Sequence, residues 1–201
     1  ALEALCLEVH REWGFEVPRQ WRTSIDGLPV LAVERFDRTK DGIALPMESF
    51  FSVYATGQQQ VRTTTDAEVE QLGGMILKLS EIVDIDAAKA RQEVYRRFVL
   101  ALLTGNGDLH LENLAWLGGP KNVRLAPVFD PAPMRAWDRH DLLSALPFYI
   151  DEKRGLAYSI ARVGESFGLT SHGAMEILQH LMKMTKTYPE RVLALKDVPE
   201  E

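Results

Sequence analysis

Three oxygen-bearing side chains on two short stretches set the chemistry that this sequence could perform. In Gly105-Asn106-Gly107-Asp108-Leu109-His110-Leu111-Glu112-Asn113 an aspartate is followed five positions later by an asparagine. A second aspartate, Asp130, closes the β-like run that starts at Leu125. Kinase-type phosphoryl transfer uses such a set. One carboxylate accepts the proton of the attacking hydroxyl, while an amide oxygen and a second carboxylate hold a divalent cation against the phosphates. Oxygen ligands suit Mg²⁺, which keeps waters and takes only one or two protein carboxylates. The same Gly-Asn-Gly-Asp cluster is also good turn chemistry, because Gly and Asn tolerate positive φ and Asp caps helices.

The flanks favour the functional reading. Val94, Phe98, Val99 and Leu102 form a helical stripe that ends at Thr104-Gly105. After the loop, Asn113 to Leu117 reads as a short strand, Gly118 to Asn122 as a turn, and Val123 to Val128 as the returning strand. The order is therefore helix, loop, hairpin, aspartate.

The elements further out follow the same logic. Leu2, Leu5, Cys6, Val9 and Trp13 recur at helical spacing, and Gly14 stops the helix. Gln20 to Ile25 and Leu28 to Phe36 read as two strands joined by Asp26-Gly27, a strong hairpin signal. Asp37 to Pro46 reads as a polar loop and a unit boundary. From about Met47 the chain reads as mainly helical apart from the central hairpin. Val69, Leu72, Ile76 and Leu79 form one amphipathic stripe, and Met175, Leu178, Leu181 and Met182 another. The methionines are expected to fill core rather than bind a metal. The tail Asp197 to Glu201 is expected to fray.

Composition narrows the class. With 201 residues the chain makes one large domain or two small lobes, and 46% apolar residues suffice for a core at that length. A net charge of −6 gives no global basic field, so direct nucleic-acid binding is not expected. No apolar run approaches a membrane span and no signal peptide is visible, so no membrane association and a cytoplasmic location are expected. The single cysteine, Cys6, excludes an internal disulfide and reads as a buried structural thiol. His110 has no second histidine at ligand spacing, and His10, His140, His172 and His180 are scattered, so zinc chemistry is not expected. His140, beside Arg139 and Asp141, reads as an exposed loop residue.

Val30-Leu31-Ala32-Val33-Glu34-Arg35-Phe36-Asp37-Arg38 resembles the hinge signature of HipA-type toxin kinases. Glu3-Ala4-Leu5-Cys6 resembles the start of that family's N-lobe helix, Gly105 to Asn113 is similar to its catalytic loop, and Leu125 to Asp130 to its metal-binding strand. The resemblance runs in order along nearly the whole chain. It implies an α+β, protein-kinase-like bilobal fold. Residues 1–38 would form a partial N-lobe and hinge, a helix plus a β-hairpin, and residues 39–201 a mainly helical C-lobe.

The resemblance also implies a Ser/Thr protein kinase that uses ATP and Mg²⁺, usually the toxin of a bacterial toxin–antitoxin pair. Its substrate would be a protein, such as a translation component of the aminoacyl-tRNA synthetase kind, and a small DNA-binding antitoxin would hold it in check. Carried over, Asp108 would be the catalytic base, and Asn113 and Asp130 the Mg²⁺ ligands. The backbone of Glu34 and Phe36 would meet adenine. Asp37 and His110 would lie near the ribose or phosphates. Glu3 would be the partner of an ATP-binding lysine, or a solvated carboxylate favoured by the helix dipole.

Two departures shape the expectation. The family's Gly-rich phosphate loop and ATP-binding lysine lie upstream of the Glu3 helix, and neither is legible in this sequence. The chain also begins inside a helical pattern without Met, so residues before Ala1 are expected and the 201 residues alone are expected to be inactive. Glu112 stands where the family often has Lys or Arg. Two other functions share these features. A small-molecule phosphotransferase of the aminoglycoside or choline type has a similar loop, and a non-catalytic remnant that binds nucleotide or a partner would also lack the lysine.

Overall fold

In the computed structural model, which describes residues 1–195, the N-terminal apolar stripe forms α1 (Leu2–Glu12). The expected fraying at Asp197 to Glu201 lies outside the described residues. Gly14 adopts φ 82 and ends α1 in a Schellman arrangement: its N–H bonds Arg11, and that of Phe15 bonds His10. The helix is buried on most of its surface, with Leu2, Leu5, Cys6, Leu7 and Val9 all inside.

The Asp26-Gly27 signal is met by strands β1 (Gln20–Ile25) and β2 (Leu28–Val33), paired antiparallel with Ile25 opposite Leu28. Asp26 and Gly27 both have positive φ, as a type I′ turn requires. The second strand ends three residues earlier than expected, because Phe36 turns inward onto apolar neighbours instead of extending the ladder. Trp21, Ile25 and Leu28 of this hairpin are exposed. Asp37 to Pro46 forms a loop tied by Leu45 N–H to the Asp37 carbonyl at 2.8 Å.

One short strand escaped the sequence reading. β3 (Met47–Ser49) pairs with β4 (Ala115–Leu117), which pairs with β5 (Arg124–Leu125), giving a three-stranded antiparallel sheet. Three residues carry too little alternation to announce a strand. Asn113 itself precedes the strand and belongs to the loop.

The rest is helical: α2 (Phe50–Ala55), α3 (Val69–Ser80), α4 (Ala87–Thr104), α5 (Leu156–Ser166), α6 (Ser171–Met184) and α7 (Tyr188–Leu193). Val94, Phe98, Val99 and Leu102 of α4 are all buried in one core with Leu5 and Val9 of α1 and Leu72 and Ile76 of α3. The Tyr95 hydroxyl sits between the carbonyls of Ile160 and Ala174, joining α4 to α5 and α6. On α6 the buried face runs through Ala174, Leu178 and Leu181, so Met182 is exposed rather than core. Its place beside Leu181 turns it about 100° off that face. His140 is half-buried, not exposed, because its N–H closes a turn onto the Trp137 carbonyl at 2.9 Å.

Candidate active site

The loop starts where α4 runs out. Gly105 ends the helix at φ 71, and a Cβ there would meet the Cβ of Arg135 at 3.2 Å. Asn106 is buried, and its Oδ1 accepts from the Asp108 N–H at 3.0 Å. That Asx turn sets the direction of Asp108. His110 N–H then bonds the Asp108 carbonyl at 2.8 Å, and Asn113 N–H the His110 carbonyl at 3.0 Å. The Asn113 side chain closes the loop. Its Nδ2 donates to the Asp108 carbonyl at 2.8 Å and lies 3.5 Å from Asp108 Oδ2. The amide oxygen on its other side stays available to a cation.

His110 joins the same set. Its Nδ1 accepts from the Glu112 N–H at 3.2 Å, which puts the proton of the neutral ring on Nε2. Nε2 lies 3.7 Å from Asp108 Oδ1, so this N–H faces the carboxylate. Glu112 is exposed.

Asp130 arrives from β5. The strand's exit is held by Arg97, whose Nη2 donates to the Ala126 carbonyl at 2.9 Å, and by Val128 N–H on the Glu16 carbonyl at 2.8 Å. Asp130 adopts φ 49, a left-handed conformation uncommon outside Gly, Asn and Asp. Glu3, half-buried on α1, lies near enough to feel it. Burial chiefly, and the negative charge of Asp130 next, raise the Glu3 carboxyl above its usual range. Two neighbouring acids are relieved by a cation.

This donor set fits Mg²⁺. Asn113 offers an amide oxygen, Asp130 an exposed carboxylate, and Glu3 further negative charge, all hard oxygens. Among the described residues no group of three or more His, Cys, Asp or Glu could hold a metal ion by itself.

The residues expected at the hinge reach this region through Phe36. The Phe36 ring packs 5.3 Å from that of Phe129, in a small cluster with Ala115, Leu117 and Ala126. This brings the segment to the residue next to Asp130. Glu34 is exposed, and its N–H bonds the Arg19 carbonyl at 2.8 Å. The Asp37 carboxylate is engaged by Arg35, Nε to Oδ1 at 2.7 Å and Nη2 to Oδ2 at 2.5 Å. That hydrogen bonding holds Asp37 below the usual carboxylate range.

Asp108, His110 and Asn113 thus form one contact set, the charge of Asp130 reaches Glu3, and Phe36 packs on Phe129, the residue before Asp130. Three contributors were not read from the sequence. Asn106 had a local signal, since Asx turns favour such a position. Arg97 had a weaker one, a cation on the apolar face of α4. Thr64, whose carbonyl accepts from Leu111 N–H at 3.0 Å, had none. Concavity alone would have pointed elsewhere, to a groove of about 780 Å³ between α2 and α3 whose lining includes none of these residues.

The model of the HipA-like C-terminal domain matches residues 1–188. The chain belongs to the HipA-like C-terminal domain family. Among relatives of this HipA-like chain are a putative kinase of Haemophilus influenzae, 27% identical over 164 residues, and the putative kinase Y4dM of Sinorhizobium fredii, 28% identical over 181. The matches cover 75% and 84% of this chain but 46% and 39% of those relatives, so the chain spans less than half their length. HipA of Shewanella oneidensis, solved with HipB and its operator DNA, superposes with a TM-score of 0.76 at 18% identity, over 98% of this chain and 50% of that one. The proinflammatory kinase CtkA of Helicobacter pylori gives 0.57 at 16% identity, over 96% and 87%. The α+β architecture of this HipA-like domain is therefore kinase-like, as the sequence implied. No helix among its described residues is long and apolar enough to cross a membrane.

Proposed function

We propose that this chain is the catalytic body of an ATP- and Mg²⁺-dependent Ser/Thr protein kinase of the HipA type. The observation that carries the reading is the closure of the Asp108–Asn113 loop, 2.8 Å from the Asn113 amide to the Asp108 carbonyl. It fixes a carboxylate and an amide oxygen together, as a base and a metal ligand must be fixed.

Asp108 accepts the proton of the acceptor hydroxyl, and the His110 Nε2–H steadies its carboxylate. Asn113 Oδ1 and the Asp130 carboxylate hold the cation. The backbone of Glu34 and Phe36 would meet the adenine, Asp37 and His110 would lie near the ribose or phosphates, and Glu3 would be the partner of an ATP-binding lysine. When bound, ATP supplies the phosphoryl group and Mg²⁺ neutralises its charge. The chain works as the toxin of a toxin–antitoxin pair, with a translation component such as an aminoacyl-tRNA synthetase as substrate. The Shewanella HipA complex with HipB and operator DNA supports a DNA-binding antitoxin as partner.

The test is transfer from labelled ATP by the full gene product to a general acceptor protein and to a panel of aminoglycosides and choline. Transfer to protein hydroxyls supports the reading. Transfer to the small molecules alone makes it a small-molecule phosphotransferase, and none to either leaves a binding remnant.

A further inference from the structure

The catalytic loop is held from outside by a segment with no regular structure of its own. Between α2 and α3 the chain is anchored by the buried Val61 and Ala67. Asp66 organises the stretch between them. Its Oδ2 accepts from two backbone N–H groups, Arg62 at 2.9 Å and Thr63 at 2.7 Å, and its own N–H bonds the Thr63 carbonyl at 3.1 Å. These bonds hold the Asp66 carboxyl below its usual range although it is exposed. The next carbonyl, that of Thr64, accepts from the Leu111 N–H at 3.0 Å. Leu111 is fully buried, and its carbonyl accepts from Phe51 N–H at 3.1 Å. Leu111 thus sits between two strangers to the loop, midway between Asp108 and Asn113.

We propose that Asp66 is a positioning residue for the catalytic loop: by gathering the N–H groups of Arg62 and Thr63 it holds the Thr64 carbonyl against Leu111, and so fixes Asp108 relative to Asn113. No ladder stabilises residues 61–66, so the carboxylate is the point at which this turn is fixed. A charged acceptor suits the role because its hydrogen bonds are roughly twice as strong as neutral ones. The effect on turnover rests on the phosphoryl-transfer reading, while the effect on the loop does not.

The test uses Asp66→Ala and Asp66→Asn, the latter keeping one acceptor oxygen. Amide hydrogen exchange should speed up at Leu111 by about tenfold or more in Asp66→Ala and by less in Asp66→Asn, with Val99 on α4 unchanged as the folding control. In the full gene product, kcat should fall by roughly tenfold in Asp66→Ala with KM for ATP within about twofold, and Asp66→Asn should recover part of it. Unaltered exchange at Leu111 overturns the proposal. Faster exchange at Leu111 with kcat unchanged overturns it too. If the unaltered gene product transfers no phosphate, the kinase reading fails, and the Leu111 measurement alone decides whether Asp66 braces the loop.

Discussion

Asn113 turns its side chain back on Asp108, with Nδ2 2.8 Å from the Asp108 carbonyl and 3.5 Å from its Oδ2. The six residues from Asp108 to Asn113 are thereby closed into a ring by one side-chain bond. The backbone bonds of His110 and Asn113 within it leave little freedom for either functional group to drift.

Asp108→Asn should abolish transfer in the full gene product and spare nucleotide binding. General-base help is worth roughly 10²–10⁴-fold in rate, and the substitution keeps the Asn106 and Asn113 bonds, which use the Asp108 backbone. Autophosphorylation and ATP affinity measured side by side check it. Unchanged turnover removes Asp108 from the mechanism.

Asp130→Asn should separate metal binding from stability. Asn tolerates the left-handed φ of 49 and removes the charge that raises Glu3. Folding should be preserved, while the tightening of ATP binding by Mg²⁺ should fall about tenfold, about 1.4 kcal/mol. Titration of ATP with and without Mg²⁺ decides. An equal loss in both conditions argues against a metal role.

Arg97→Ala should destabilise the domain by roughly 2–4 kcal/mol, because losing the buried cation leaves the Ala126 carbonyl without its partner and Glu93 with only Arg96 of its two arginines. Burial also lowers the Arg97 pKa, against the attraction of Glu93. Urea denaturation measures the loss. Asp130 should lose its registration along with Ala126, so residual Mg²⁺-dependent binding in the folded variant should weaken.

His10 should make the domain acid-sensitive. Burial, partly offset by its 2.7 Å contact from Nδ1 to the Cys6 carbonyl, lowers it to about 4. The unfolded chain takes up this proton near pH 6.5, and the folded one only near 4. Between those values the unfolded state binds more protons, so stability falls as pH drops through that window and levels off below it. The loss is on the order of 3 kcal/mol. His10→Gln should flatten that part of the profile in denaturation series across the window. A wild-type imidazole resonance that shifts above pH 6 would sink the argument.

Much of the skeleton could be read locally. The stripe Val94, Phe98, Val99 and Leu102 and the stop at Gly105 emerge as α4 and its left-handed cap, because helix period and cap conformation depend on residues a few places apart. Asp26-Gly27 specifies its turn for the same reason. The spacing of Asp108 and Asn113 suffices to bring them together, since one short loop joins them.

Helices α1 and α4, the Asp26-Gly27 hairpin and the short span from Asp108 to Asn113 were therefore legible in the sequence, each fixed by interactions across a few residues. The remaining placements needed the folded chain: β3 beside β4, Glu3 within reach of the Asp130 charge, Arg97 on the Ala126 carbonyl, and Thr64 against Leu111. These contacts join residues far apart in the chain. They depend on the shared core of α1, α3 and α4, which orders segments whose own composition has no periodicity to announce them. Asp37 shows the converse: its carboxylate engages a neighbour two residues away, Arg35, in an ion pair that neither a helix nor a strand period predicts.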